Sequence, residues 1–154
     1  MISTDDLMWF LDEALDGMVD IVEGLGDDLA NRRPALEGAN SAYAILTHCL
    51  GVMEFWGGYV VAGRPSHRDR DAEFVATGAV AELVCRTRDA RDQLGLDLEG
   101  MAPDAPPRNP LPGEDGQLPI ARTQGGAMVH VFEELAQHHG QLEITRDLLL
   151  GPAG

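Results

Sequence analysis

The chain has 154 residues, 44% of them hydrophobic, with 26 acidic against 11 basic side chains and a formal net charge of −15. That length suits one domain, spanning 1–154, and that apolar content suffices for a core, which excludes disorder as the main state. A surface so acidic repels phosphate backbones and anionic headgroups, so neither nucleic acid nor a membrane surface is an expected partner.

Ser3 or Thr4, followed by Asp5 and Asp6, opens a first helix with a capping oxygen and acids in its first turn. Leu7, Leu11, Leu15, Met18, Val22 and Leu25 recur at helical spacing, and Gly24 and Gly26 close it. Met8, Trp9 and Phe10 stand in a row and cannot all face one core, which points to a homodimer. After a polar joint, Asn40 and Ser41 cap a second helix, running to about Ala62, with an inward stripe of Ala42, Ile45, Cys49, Val52, Met53, Trp56 and Val60. The charged run His67-Arg68-Asp69-Arg70-Asp71 reads as an exposed loop, and a third helix is expected from Thr77 to Leu98. Met101 to Arg122 holds six of the nine prolines and reads as a long irregular connection. Thr123 caps a last helix that runs to Leu150 and stops at Gly151-Pro152. Four helices and no β-alternating stretch predict an all-α four-helix bundle.

Two cysteines, Cys49 and Cys85, are too few for a disulfide scaffold and both read as small core hydrophobes. With no basic N-terminal region and no uninterrupted apolar run of about 18 residues, the expected compartment is the reducing cytoplasm.

Four of the five histidines fall on the second and last helices: His48, His130, His138 and His139. Helical residues turn about 100° apart, so His130, Glu134, His138 and Gln141 share one sector of the last helix, and His139 projects elsewhere. A glutamate at the margin of an apolar face must be exposed, paired or metal-bound. If the second and last helices are neighbours, His48 meets Glu134 and His138, and two imidazoles with one carboxylate hold zinc with one position open. The plainer reading is a glutamate–histidine ion pair at a solvated helix edge. His130 is a substitute ligand one turn above Glu134, and Gln141, one turn beyond His138, is a candidate to hold a ligand or orient a substrate. Nickel or another divalent ion would accept the same groups as zinc.

Three segments together resemble the DinB-like superfamily of metal-binding four-helix bundles: Asn40 through Leu50 around His48, Arg68-Asp69-Arg70-Asp71-Ala72-Glu73-Phe74 in the middle loop, and His130 through Gln141 on the last helix. The resemblance spans about Ser3 to Gly151. It implies His48 and His138 as metal ligands, and Glu134, where many members carry histidine, resembles the branch of mycothiol-dependent maleylpyruvate isomerase and mycothiol S-transferases. The isomerase has an additional domain that this chain lacks, so that reaction is not expected. What the resemblance implies is a zinc-assisted enzyme that transfers a low-molecular-weight thiol such as mycothiol to a small electrophile. Arg64, Arg68 and Arg70 are then candidates to meet a carboxylate on either substrate, against the plainer reading of a loop balanced by Asp69 and Asp71. A metal-dependent hydrolase uses the same ligands, and a non-enzymatic metal-binding interaction module is the remaining alternative.

Overall fold

A computed structural model describes residues 3–151. In chain order the helices are α1 (Thr4–Ala30), α2 (Ala42–Val52) running on into a π-helical stretch (Met53–Val61), α3 (Arg70–Glu73), α4 (Val80–Asp97), α5 (Pro119–Arg122) and α6 (Gln124–Leu150), with a 3₁₀ turn at Asp115–Gln117. No strand occurs among the described residues. The long helices α1, α2 with its π stretch, α4 and α6 form the bundle. α1 lies against α4 and α6, and α2 with its extension packs against the same two.

The start signals are used as the sequence suggests. Ser3 and Asp6 form a reciprocal capping box on α1. Ser41 Oγ accepts from Ala44 N at 3.2 Å, and Thr123 Oγ1 accepts from Gly126 N at 3.0 Å. The ends differ more. Gly26 does not close α1; with φ of 66° it kinks the helix, which resumes to Ala30. Asn31 and Asp27 then clamp the approach to α4. Asn31 Nδ2 donates to Gly78 O at 2.8 Å, and Asp27 Oδ1 accepts from Val80 N at 2.8 Å. Asp27 thus caps α4 from another segment, and for that reason α4 begins at Val80 rather than at Thr77, whose hydroxyl is not used.

α2 is not an amphipathic helix with one inward stripe. Every residue from Ser41 to Leu50 is buried, including Tyr43, Leu46 and His48, the pattern of a helix surrounded by its neighbours. The span Ala42–Val61 is long and apolar enough to cross a membrane by composition alone, but 83% of that window is buried inside the bundle. α4 buries Val80, Leu83, Val84, Thr87 and Leu94. Arg91 is not part of that face; it bridges to α1 with two hydrogen bonds to Asp12, at 2.8 and 2.7 Å. Cys85 is exposed, contrary to its reading as a core residue, and only Cys49 is buried.

The proline-rich connection is tied down rather than free. Arg108 N donates to Val60 O at 3.0 Å, Gln124 N to Ala105 O at 2.9 Å, and the Gln124 side chain bonds Ala102 N and Pro106 O. Its end winds into α5, which starts on Pro119, a residue preorganised for the first helical turn. On α1, Trp9 is 57% and Phe10 49% exposed. Trp9 packs edge-on to Phe10 and Phe10 to Phe132, with centroids 4.9 and 5.9 Å apart.

Candidate metal centre

α2 and α6 are neighbours, so His48 from the first meets Glu134 and His138 from the second. One donor atom from each lies within 4.8 Å of the other two. His48 Nε2 and His138 Nε2 are each 3.3 Å from Glu134 Oε2, and the two rings meet edge to face with centroids 4.9 Å apart. His48 is 3% exposed. Phe74 stacks on its face at 4.7 Å and 27°.

The opposite nitrogen of each ring is held as well. His48 Nδ1 donates to Glu73 Oε2 at 2.8 Å, and His138 Nδ1 donates to Gln141 Oε1 at 2.7 Å. Glu73 Oε2 and Gln141 Oε1 accept, which favours a hydrogen at each Nδ1 even though Arg68 Nη2 also stands 3.3 Å from His48 Nδ1. A neutral ring in that tautomer presents a lone pair at Nε2. Two lone pairs facing one carboxylate oxygen repel it unless positive charge lies between them, either protons on the rings or a bound cation. Two imidazoles and a carboxylate, with the rings anchored from behind, are a donor set suited to zinc.

Burial works against ionisation of Glu134, but the close contact with His48 and the nearby imidazoles of His130 and His138 outweigh it. The carboxyl is held below its ordinary range. Its ion pairs among the described residues are all with imidazoles. His130 Nε2 lies 3.7 Å from Glu134 Oε1, while its Nδ1 contacts Glu133 at 3.2 Å and its ring meets Trp56 edge-on at 4.8 Å. His130 therefore borders the centre on the other carboxylate oxygen. His139 sits on another face, its ring over the bare Cα of Gly17 on α1. Gln141 stands behind His138, not beside the converging donors.

In the middle segment His67, Asp69, Arg70 and Asp71 are exposed as expected, but the segment is not all loop. Asp69 Oδ1 caps α3 by accepting from Ala72 N at 3.1 Å, and the short helix delivers Glu73 into the interior at 7% exposure. Arg68 follows it inward, donating from Nε to Glu73 Oε1 at 2.6 Å and from Nη2 to Glu73 Oε2 at 3.0 Å. Arg68 is thus committed to Glu73. Arg64 is committed too, forked onto Asp97 of α4 with both bonds at 2.7 Å, which raises its pKa further. Arg70 alone of the three carries no carboxylate partner among the described residues; its guanidinium lies over the Phe74 ring at 5.5 Å. Glu73 was hidden in the sequence by four charged neighbours. The only signal was its distance of one helical turn from Asp69, a capping oxygen that starts a helix pointing Glu73 away from solvent.

A family profile described as mycothiol-S-transferase matches residues 6–151. Comparison with curated proteins gave no match.

Proposed function

The chain belongs to the mycothiol S-transferase family, and on that footing we propose that it transfers a low-molecular-weight thiol, such as mycothiol, to an electrophilic small molecule at a divalent-metal centre. His48, Glu134 and His138 are the proposed ligands, with zinc favoured by donor type. The observation that carries this reading is the convergence of His48 Nε2, His138 Nε2 and one Glu134 oxygen, with each ring's Nδ1 already bonded elsewhere. Zinc bound by His48, Glu134 and His138 would supply Lewis acidity that favours a thiol in its nucleophilic thiolate form.

The chain's own residues do the rest. Glu73 and Gln141 keep the two imidazoles aimed with their lone pairs inward. Phe74 covers the face of His48, and Trp56 lies against His130, so water reaches the donors from fewer sides. Arg70, exposed and without a carboxylate partner among the described residues, is the arginine left to meet a substrate carboxylate. Cys49 supplies no nucleophile, because its thiol is buried.

The test follows consumption of a thiol-reactive fluorogenic electrophile by zinc-loaded protein with mycothiol, glutathione or cysteine as donor. Mycothiol should give a rate that Glu134→Ala and His138→Ala lose together with the metal. Wild-type protein no faster than these variants with every thiol would refute the transferase reading. Ester hydrolysis without any thiol would replace it with the hydrolase.

A further inference from the structure

We infer that Glu73, buttressed by Arg68, is a positioning residue that fixes the orientation of His48 and so sets how tightly the centre holds its cation; this rests on the metal-centre reading above. The arrangement is built from several directions. Glu73 Oε2 accepts from His48 Nδ1 at 2.8 Å, and both carboxylate oxygens accept from the Arg68 fork at 2.6 and 3.0 Å. Gly51, on the turn of α2 after His48, leaves the space this carboxylate occupies. A Cβ there would collide with Glu73 Oε1 and come within 3.0 Å of Arg68 Nε. The next residue, Phe74, lies on the His48 ring face at 4.7 Å. One seven-residue segment, 68–74, therefore grips the imidazole at its edge and on its face.

A buried ion pair contributes little net stability, because desolvation offsets most of the attraction. Holding the loop alone would be done as well by apolar residues. What apolar residues do not provide is a carboxylate on His48 Nδ1, which keeps the hydrogen there and leaves Nε2 free to ligate. Carboxylates placed this way behind a metal-bound histidine fix the ring and raise its basicity, and their loss weakens metal affinity by about 10–100-fold.

The test measures zinc affinity of the full chain by competition with a chromogenic chelator, and records the visible ligand-field spectrum of the cobalt-loaded protein. Glu73→Ala should bind zinc about 10–100-fold more weakly. Glu73→Gln should fall between it and wild type, because the amide oxygen still accepts from Nδ1 without the charge. Gly51→Ala should also weaken binding and shift the cobalt bands, since it displaces the carboxylate while removing no ionisable group. Arg91→Ala breaks an ion pair elsewhere in the bundle and should leave affinity within about twofold of wild type, consistent with additivity of distant sites. If Glu73→Ala does not fold, Glu73→Gln and Gly51→Ala decide. Wild-type affinity and wild-type cobalt bands in the Glu73 and Gly51 variants would overturn this inference alone. Wild-type protein that binds no zinc would overturn the centre and the inference with it.

Discussion

Cys49 follows the first imidazole of the centre directly, yet its thiol is unavailable to it. Burial pushes its pKa far up, the negative charges of Glu134 and Glu73 push the same way, and Arg68 only partly opposes them. Its Sγ lies 3.8 Å from Met18 Sδ in the core. Cys85 stands in solvent on α4. The thiolate is the reactive form, so native protein should show one fast-reacting thiol per chain toward an aromatic disulfide reagent, and Cys85→Ser should show none. Cys49 should react only through opening of the fold, slowed by about a thousandfold or more, and at full speed in denaturant. Two fast thiols in native buffer would contradict this. The sequence assigned both cysteines to the core because both fall among apolar neighbours, and only the packing separates them. The same limit hid Glu73. His48, Glu134 and His138 were legible because helical spacing puts Glu134 and His138 on one face and only the adjacency of two helices had to be supplied. Glu73 lies in a run of charges, and its burial depends on Arg68 turning inward with it, a pairing that no periodicity encodes.

The π stretch after α2 shows what one element can conceal. Ala62 N donates to Gly57 O at 2.9 Å, the five-residue reach of a π-helix, and Arg64 N donates to Gly58 O at 2.9 Å where the winding ends. The stretch can sit close to α4 because Gly57 has no side chain; a Cβ there would collide with the buried Leu94. Gly57→Ala should therefore destabilise by about 1–3 kcal/mol through overpacking, a fall in Tm of roughly 2–12 °C for a chain of this length. Gly95, one residue after Leu94 in α4, faces open space. Gly95→Ala should stabilise by about 0.4–1 kcal/mol, since it removes unfolded-state freedom without a clash. Thermal melts of the two variants should move in opposite directions, and equal shifts would refute the close approach. The four long helices and the side-chain caps that start α1, α2 and α6 were legible because such caps and apolar spacing are local. The π winding, the kink at Gly26 and the Asp27 cap on α4 were not, because each depends on a partner distant in sequence.

At the scale of the whole molecule, acidic side chains outnumber arginines by 26 to 11, and several of those arginines are already spent on ion pairs: Arg64 with Asp97, Arg68 with Glu73, Arg91 with Asp12 and Arg146 with Asp147. The net field favours cations and strains the compact state by self-repulsion. Two separable effects of a divalent ion follow. Any divalent salt screens the repulsion, whereas a ligand bound only by the folded chain stabilises it by mass action, about 2.7 kcal/mol at a concentration one hundred times Kd. At roughly 2–4 °C per kcal/mol for this size, zinc at that concentration should raise Tm by about 5–11 °C. Magnesium at the same ionic strength should give only the screening part, because a site of two imidazoles and a single carboxylate suits zinc far better than an oxygen-seeking cation. A chelator should reverse the zinc increment, and His138→Ala, which removes a proposed ligand from the half-exposed edge of α6, should respond to zinc no more than to magnesium. Differential scanning calorimetry of wild type and His138→Ala, in matched salt with each ion, separates the two contributions. A zinc shift of equal size in both proteins would mean that the ion acts on the acidic surface and not at His48, Glu134 and His138.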